Sequence, residues 1–508
     1  MPGREIERMA GSCCGRRTRR PDAAMVKATL GVLLGLFLAL SGLASYVFFP
    51  TILKTQVELV MNTPRSSMSD WSSRWQDPPT PHFAAAGLSP MPNAGPGLPA
   101  NHSDQRSAFS HPRAHWETRE KVNITWHPNG TVSYRQIKKY YLQSDMTRGS
   151  LDDQVVTLNM PMVSAAHTVR FDTEEFEFYK EAVSEIFVAK ESTFFVRRTM
   201  RELLFDGYDE PILTSAQSLG IEVPSTKFGW LLGKNGTDDG EYTIFTGSKG
   251  MHNYGEMDKY NGLSEMNAFH GYCNMINGTV GDMWPPLALE NWDNVTLFIR
   301  DFCRSIRLSY LGDVETRGVK LRRYWGEGRL FDYAEKDNRC FCTGTCFPSG
   351  VLNISACQQG APVAVSFPHF LYGDPSYQQA VEGMAPDPKR HQMYLDIEPK
   401  MGITVNAAAK FQVNVFVERI AGIPQFENIT ERRFYPIFWF ENLASADKGL
   451  LSKVRLVTEE IPQYVTVASF GAVIIGGIVL LATLVYAIRY TRRPKPVRPT
   501  YIPVTVLK

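Results

Sequence analysis

Cysteines are the residues of this 508-residue chain whose spacing most readily suggests chemistry. Four of the eight lie within the short stretch from Cys340 to Cys357. The eight are Cys13, Cys14, Cys273, Cys303, Cys340, Cys342, Cys346 and Cys357. Such a group can bind zinc or form disulfides, and the spacing of Cys342 and Cys346 fits a zinc site only loosely. Because disulfides persist in oxidising compartments, the location of this segment decides between the two.

Two uncharged apolar stretches, residues 28–49 and 465–488, predict membrane-spanning helices. Each is long enough to cross a hydrocarbon core of about 30 Å, and the first is too long for a cleavable signal sequence. Basic residues are concentrated in the flanking tails, 1–27 and 489–508. Since basic flanks stay in the cytosol, residues 50–464 are predicted to form one large extracellular or lumenal domain.

The charge and the sequons of the central segment agree with this topology. Because the tails carry an excess of basic residues, the segment between the spans is acidic, which argues against nucleic acid as its partner. Every Asn-x-Ser/Thr sequon falls in that segment, which predicts a glycosylated domain. The sequons are at Asn101, Asn123, Asn129, Asn235, Asn277, Asn294, Asn353 and Asn428. In an oxidising compartment six cysteines predict three disulfides, with 15 pairings left open.

The hydrophobic pattern of the central segment predicts an α+β fold. Short β-type runs lie at residues 132–137, 242–245 and 362–367. Residues 411–418 alternate between apolar and polar, which predicts a half-buried strand. Residues 173–190 have the period of an amphipathic helix, and a second helical stretch is predicted at 196–205.

Residues 82–115 interrupt this pattern. They are rich in Pro, Gly, Ala, Ser and His and show neither helical nor strand periodicity. Such a composition predicts an atypical, unstructured linker within the external domain.

Catalytic motifs do not emerge from the sequence. It contains no His-Glu-x-x-His, no Gly-x-Ser-x-Gly and no complete phosphate-binding loop. His369 is interpreted as a packed or turn histidine, although a catalytic base is the alternative. Asp396 and Glu398 would share one side of a strand, where a salt-bridged or solvated pair is favoured over acid–base catalysis. We therefore predict a protein that is not an enzyme and needs no cofactor.

The first span carries Gly31, Gly35 and Ala39, a ladder of small residues on one helix face. Such a ladder permits close packing against Ala472 and Gly476 of the second span, or against another subunit in a homo-oligomer. The alternative is that glycine is simply common in membrane helices.

The two tails contain short candidate signals. Cys13 and Cys14, beside arginines and near the membrane, are candidate palmitoylation sites or idle thiols. Tyr501 and Val504 have the spacing of a tyrosine-based endocytic signal, and Pro503 favours the extended backbone that such a signal needs. The alternative is a solvated tail that happens to contain a tyrosine.

Several ordered motifs resemble the class B scavenger receptor family, which includes the fatty-acid translocase, the lysosomal integral membrane protein and the insect sensory neuron membrane proteins. The motifs are MRELLFDGYDEP at 200–211, CNMINGT at 273–279, MWPP at 283–286, FCRSI at 302–306, FC at 341–342, FPHFLY at 367–372 and YLDIEP at 394–399. They extend over residues 116–488, together with the first span.

This resemblance implies a fold and a disulfide pattern. The family's external domain is an antiparallel β-barrel core with an apical helical bundle and an internal apolar tunnel, between two transmembrane helices. Carried onto the matching cysteines, its disulfides join Cys273 to Cys340, Cys303 to Cys357, and Cys342 to Cys346. The helix at 173–190 would belong to the apical bundle.

The resemblance also implies a function. It indicates a plasma-membrane receptor, cycling to endosomes or lysosomes, that binds lipids, fatty acids or lipoproteins and passes lipid through its tunnel. The predicted ligand-binding residues are Phe176, Tyr179, Val183, Phe187 and Lys190; some family members use a lysine at the end of this helix, one position away from Lys190. The alternatives are a binding or sorting receptor for protein or microbial ligands, and a two-span ligand-gated channel.

The resemblance fails between residues 82 and 115. The family has strands and an Asn-containing turn there, so an alternative exon or a mis-joined reading frame would explain the difference. Loss of a strand would leave unpaired backbone on its neighbours and impair folding.

Overall fold

The computed structural model describes residues 23–62, 82–85, 113–171, 173–218, 223, 225–286, 292–342, 344 and 346–492. It divides into two compact units. Residues 57–458 form the larger unit, and residues 1–56 together with 459–508 form the smaller one. The larger unit contains the main sheet and the disulfides, and the smaller contains most of two long apolar helices.

Helices occur at both ends of the chain and between the strands. They are α1 (Ala23–Asn62), α2 (Met160–Thr168), α3 (Glu174–Ala189), α4 (Pro211–Ser218), α5 (Pro375–Gln379), α6 (Pro388–His391), α7 (Pro424–Glu427), α8 (Lys448–Arg455) and α9 (Ile461–Thr491). Within the larger unit α2, α3 and α4 pack on one another. The predicted helix at 173–190 is confirmed as α3, which begins after Thr173 and ends before Lys190.

The strands begin with β1 (His82–Ala85), β2 (Arg113–Trp126), β3 (Thr131–Leu142), β4 (Gln154–Leu158), β5 (Phe195–Thr199), β6 (Tyr208–Asp209), β7 (Lys227–Phe228), β8 (Thr237–Phe245) and β9 (Met257–Tyr260). They continue with β10 (Asn294–Ile299), β11 (Arg304–Thr316), β12 (Val319–Trp325), β13 (Val351–Asn353), β14 (Val363–Ser366), β15 (Tyr394–Glu398), β16 (Ile403–Val417) and β17 (Arg433–Ser445). One antiparallel sheet has the order β10-β11-β12-β15-β16-β17-β1-β2-β3-β8-β9, and β13 and β14 branch from β16.

A short bridge connects the two edge strands of this sheet. Met257 N on β9 donates to Gly278 O at 2.8 Å, and Phe298 N on β10 donates to Thr279 O at 2.8 Å. Gly278 has φ 74°, and a Cβ there would collide with the carbonyl of Thr296, so this position requires glycine. The segment at Gly278 and Thr279 therefore links the two edge strands β9 and β10.

The prediction of a helix at 196–205 is wrong for residues 196–199, whereas residues 200–205 are helical. Residues 195–199 form β5, which pairs antiparallel with β4 from Gln154↔Thr199 to Leu158↔Phe195. Residues 202–206 form a single π-helical turn. Pairing with a neighbouring strand overrides the local helical period, which is a weak signal over so few residues.

The alternating segment 411–418 lies mostly in β16, but its polar face is buried as well. Gln412 and Asn414 are fully buried, and their side chains bond to each other at 2.8 Å. Asn414 Nδ2 also donates to Ser366 Oγ of β14 at 3.0 Å. Strand β14 pairs with this part of β16, and side-chain hydrogen bonds along the two strands satisfy the buried amides.

The ends of the predicted unstructured segment 82–115 take part in the sheet, so the prediction is wrong there. His82–Ala85 lies between β17 and β2, with His82 opposite Leu443 and Trp116. Arg113–His115 begin β2. An exposed edge on β2 or β17 would be unfavourable, and four residues are enough to pair with both. Residues 86–112 lie outside the described part.

Helices α1 and α9 contain the two apolar stretches and are long and apolar enough to cross a membrane. Their glycines meet within one chain. A Cβ at Gly476 would lie 2.6 Å from Ala39 N, and a Cβ at Gly35 would lie 3.0 Å from Gly476 O. This face of α1 is therefore occupied by α9 of the same chain.

Candidate functional site: a cavity within the sheet

The larger unit contains a cavity of about 210 Å³, lined by inward-pointing side chains of the sheet. Two sets of residues give it two different surfaces. The polar wall consists of Arg119, Gln136, Lys138, Asp239 and Asp282, from β2, β3, β8 and the segment before β10. The apolar wall consists of Leu297, Phe302, Met393, Phe411 and Phe440, from β10, β16, β17 and adjoining turns.

Ion pairs hold the charged groups of the polar wall. Arg119 Nε lies 2.6 Å from Glu117 Oε1 on the same strand. Lys138 Nζ lies 2.7 Å from Asp239 Oδ2. Asp282 Oδ2 accepts from Lys121 Nζ at 3.0 Å, and Lys121 is almost fully buried. Each carboxylate therefore has a cation in direct contact.

The pKa values follow from this arrangement. Burial acts to raise the pKa of Asp282, but Lys121 and Arg119 more than offset it, so its pKa lies below the usual range. The same balance, with Lys138 as the main cation, lowers the pKa of Asp239. Both acids therefore stay ionised at neutral pH and below.

Packed aromatic rings form much of the apolar wall. The ring centroids of Phe302 and Phe411 are 5.0 Å apart in an edge-to-face arrangement, and those of Phe411 and Phe440 are 6.0 Å apart. Met393 is fully buried beside them. These side chains offer a surface for hydrocarbon and no hydrogen-bonding group.

Disulfides cross-link the loops around the apolar wall. Cys303, directly after Phe302, is joined to Cys357, and Cys273 is joined to Cys340. Cys342 and Cys346 close a small third loop. These are the pairs that the family resemblance implies.

Helix α3 positions the predicted ligand-binding residues away from one another. Phe187 is buried, and Val183 is half-buried and packs against the core. Tyr179 is 44% exposed, and Lys190 is exposed directly after the helix. The side chain of Phe176 lies outside the described part. The predicted apolar face is thus largely the face that packs.

Sequence analysis missed two sets of residues. Phe178 and Val188 of α3 are 70% and 67% exposed, although both are large and apolar. The polar wall was missed as well, and its signal lay in β2. Every second residue from 113 to 121 is titratable, whereas the residues between them include Ala114 and Trp116. A row of titratable residues on one face of a long strand marks that face as a candidate for ion pairs.

The groups considered for catalysis have structural partners. Arg323 makes two hydrogen bonds to Asp396, at 2.6 and 2.9 Å. The Glu398 carboxylate accepts the backbone N–H groups of Lys400 and Met401. His369 lies in a turn with φ 56°. The salt-bridge and turn interpretations therefore fit these side chains.

The remaining predicted sites divide between surface and undescribed residues. Six sequon asparagines are exposed: Asn123, Asn129, Asn235, Asn277, Asn294 and Asn428. Asn353 is half-buried. Asn101, Cys13, Cys14, Tyr501 and Val504 lie outside the described residues.

Comparison with known proteins agrees with the motifs. The model of the CD36 family matches residues 33–487. Scavenger receptor class B member 1 of Rattus norvegicus is 31% identical over 472 residues, which cover 92% of this chain and 90% of the relative.

Two further relatives extend the comparison. Protein peste of Drosophila melanogaster is 32% identical over 348 residues, which cover 67% of this chain and 62% of the length of the relative. Lysosome membrane protein 2 of Homo sapiens is 32% identical over 349 residues, or 68% of this chain and 71% of its own. The chain belongs to the CD36 family of class B scavenger receptors, and its apolar terminal helices and its disulfides agree with this.

Proposed function

We propose that the protein is a receptor that binds lipids or lipoproteins and passes lipid through its cavity towards the membrane. The observation that carries this proposal is the apolar wall of Phe302, Phe411 and Phe440 inside the sheet. Family membership and two helices able to cross a membrane support it. Named relatives are receptors or membrane proteins, and the transfer requires no chemical reaction.

The energetics of lipid transfer favour such a path. Exposing an acyl chain to water costs about 0.8 kcal/mol per methylene, so a chain of about sixteen carbons faces on the order of 10 kcal/mol. An apolar wall removes part of this barrier for every methylene that it covers. Because ligand pockets usually measure about 300–1,000 Å³, a cavity of this size would hold a segment of a lipid at a time.

Blocking the cavity tests the proposal. Ala409 lines it, so Ala409→Phe places a ring in the path without removing a charge. We expect uptake of fluorescent lipid by cells to fall severalfold at equal surface abundance. Ala421→Phe, the same change at an exposed turn, is the matched control. Unchanged uptake in Ala409→Phe, at wild-type surface abundance, would contradict transfer through the cavity.

A second function, capture of protein or microbial ligands, is favoured by the exposed apolar residues of α3. Phe178 packs its ring edge-to-face against Tyr179, with centroids 5.8 Å apart, and both remain open to solvent. Exposed aromatic anchors of this kind are typical of binding surfaces. On this view α3 captures a particle, and the cavity need not carry lipid.

Variants of α3 separate the two functions. Phe178→Ser with Val188→Ser should weaken binding of particles while leaving transfer of monomeric lipid unchanged. Glu181→Ser, on an exposed position of the same helix, is the control. If the double variant lowers particle binding and Ala409→Phe changes no lipid transfer, capture alone is the function.

The proposed topology places both termini in the cytosol and the larger unit outside it. The exposed sequons would then carry glycans, and the disulfides would form in an oxidising compartment. Glycosidase treatment should increase the gel mobility of the receptor.

We also propose that Tyr501 and Val504 direct endocytosis and that Cys13 and Cys14 are acylated. Tyr501→Ala should raise the surface abundance of the receptor.

A further inference from the structure

The charges that line the cavity balance one another. Among the described residues, the cationic lining groups are Arg119, Lys138 and Arg300, and the anionic ones are Asp239, Asp282 and Asp301. Each lies in an ion pair of 3.0 Å or less, and the partners outside the lining, Glu117 and Lys121, are again one acid and one base. The cavity is therefore polar without a net charge.

Asp282 shows that this polarity is presented to the cavity itself. It lines the cavity, and 38% of its side-chain surface is accessible. By contrast, Lys121, its partner, is 8% exposed. A ligand in the cavity would meet the carboxylate of this pair rather than the ammonium group.

An anionic headgroup gains little from such a wall. Each cation already has a carboxylate at hydrogen-bond distance, so an anion that replaces this carboxylate leaves an acid without its partner. Breaking a buried pair in this way is strongly unfavourable. An anion that displaces nothing would enter a low-dielectric space without a counter-charge, which is also unfavourable.

A hydroxyl group has no such difficulty. A lysine offers three N–H donors, an arginine five, and a carboxylate about four acceptor sites, so an ion pair leaves hydrogen-bonding capacity unused. A hydroxyl both donates and accepts, and it can therefore join a pair without breaking it. The hydrocarbon part of the same ligand would lie against Phe302, Phe411 and Phe440.

Taking the proposed lipid transfer as its basis, we propose that the polar wall is a headgroup subsite that selects uncharged lipids bearing a hydroxyl group over anionic lipids of the same chain length. Charge balance sets this selectivity. Removing one acid should therefore reverse it, because a cation is then left to receive an anionic headgroup.

The test uses the full-length receptor in nanodiscs and two ligands with the same chain, 1-hexadecanol and hexadecyl sulfate, whose sulfate stays ionised. We expect the wild type to bind 1-hexadecanol about tenfold more tightly, measured by competition with labelled 1-hexadecanol. Asp239→Asn, which leaves Lys138 without its carboxylate, should shift the preference towards the sulfate by about tenfold or more. Asp301→Asn, at a 62% exposed side chain, gives the same direction of change with less risk to folding.

Glu120→Gln is the matched control. Glu120 pairs with Lys139 at 3.4 Å, both are exposed, and neither lines the cavity, so the preference should not change. Equal affinity of the wild type for both ligands, or an unchanged preference in both Asp variants, would overturn the subsite. If neither ligand binds, the proposed lipid transfer is overturned instead, and the subsite with it.

Discussion

The two walls of the cavity are built on different physical principles, although one sheet supplies both. Strand β2 turns a row of titratable side chains inward, such as Glu117, Arg119 and Lys121. Strands β16 and β17 turn Phe411 and Phe440 inward instead. The apolar wall gains from burial and ring packing, whereas the polar wall only recovers the desolvation of its charges through pairing.

This difference indicates which wall stabilises the fold and which wall determines the ligand that binds. Disulfides flank the apolar wall, and the described residues of β2, β3 and β8 contain no cysteine. A buried ion pair adds little net stability, yet it is costly to break. We therefore infer that the apolar wall provides stability and the polar wall provides selectivity.

The largest effect is expected from the two long-range disulfides. A quadruple variant with alanine at Cys273, Cys340, Cys303 and Cys357 lacks both of these disulfides. The loops that they close span 67 and 54 residues. Chain-entropy estimates give roughly 4 kcal/mol for each, close to the whole stability of many domains. We expect the quadruple variant to be retained in the cell and to be degraded rapidly by added protease.

The third disulfide provides the control. Cys342 and Cys346 are four positions apart, so the same estimate gives roughly 2 kcal/mol. The double variant with Cys342→Ala and Cys346→Ala should still reach the cell surface. Similar protease resistance of the quadruple variant and the wild type would show that the disulfides do not support the apolar wall.

A smaller loss is expected from the polar wall. Asp282→Ala leaves the buried Lys121 ammonium without its carboxylate, and removing one partner of a buried pair costs about 3–5 kcal/mol. Thermal unfolding of the purified receptor should show this loss. Glu120→Ala removes an exposed pair on the other face of β2 and should cost less than about 1 kcal/mol. Equal melting temperatures of the two variants would contradict a buried polar wall.

The sequence predicted the parts of the molecule that repeat a local pattern. Helix α3, the long apolar helices α1 and α9, and the strand β16 each follow from the spacing of apolar residues. The packing of Gly35 against Gly476 follows from a ladder of small residues. In all these cases the information lies within one turn, one strand or one helix.

The sequence did not predict what depends on distant pairing. Strand β5 was read as helix because β4, its partner, lies about forty residues upstream. The polar wall was not seen because alternation shows that a strand has two faces, but not which of them a closed sheet turns inward. On α3 the residues that pack and those that remain exposed depend on α2 and α4.

Acid should act on the residues behind the apolar wall rather than on the polar wall. His369 and His391 stack with ring centroids 4.5 Å apart, close to Trp439 of β17. His369 Nδ1 accepts Ala385 N–H at 3.2 Å, and His391 Nδ1 accepts Asp387 N–H at 3.0 Å. Both rings are therefore neutral acceptors that hold one segment, residues 385–391, against the sheet.

The pKa values set the direction of the acid effect. Burial lowers the pKa of His391 to about 4, with further contributions from His369, Arg390 and Lys410 against Asp387, and burial also lowers that of His369. The unfolded segment takes up protons near pH 6.5, while the folded one does not, so its stability is complete above this pH and falls as the pH drops towards about 4. The polar-wall acids, whose pKa values are lowered, stay ionised across this range.

Hydrogen exchange of the full-length receptor can resolve the two walls. Between about pH 7 and about pH 5, protection factors of the Ala385 and Asp387 amides should fall severalfold, whereas those of β2 should not change. The expected loss is on the order of 1 kcal/mol, since each neutral hydrogen bond contributes about that much. His391→Phe should weaken this dependence, and His252→Phe, at an exposed position, should leave it intact. A loss of protection in β2 instead would mean that the polar wall responds to acid. Its carboxylates would then become protonated in this pH range, which would contradict the charge balance of the cavity.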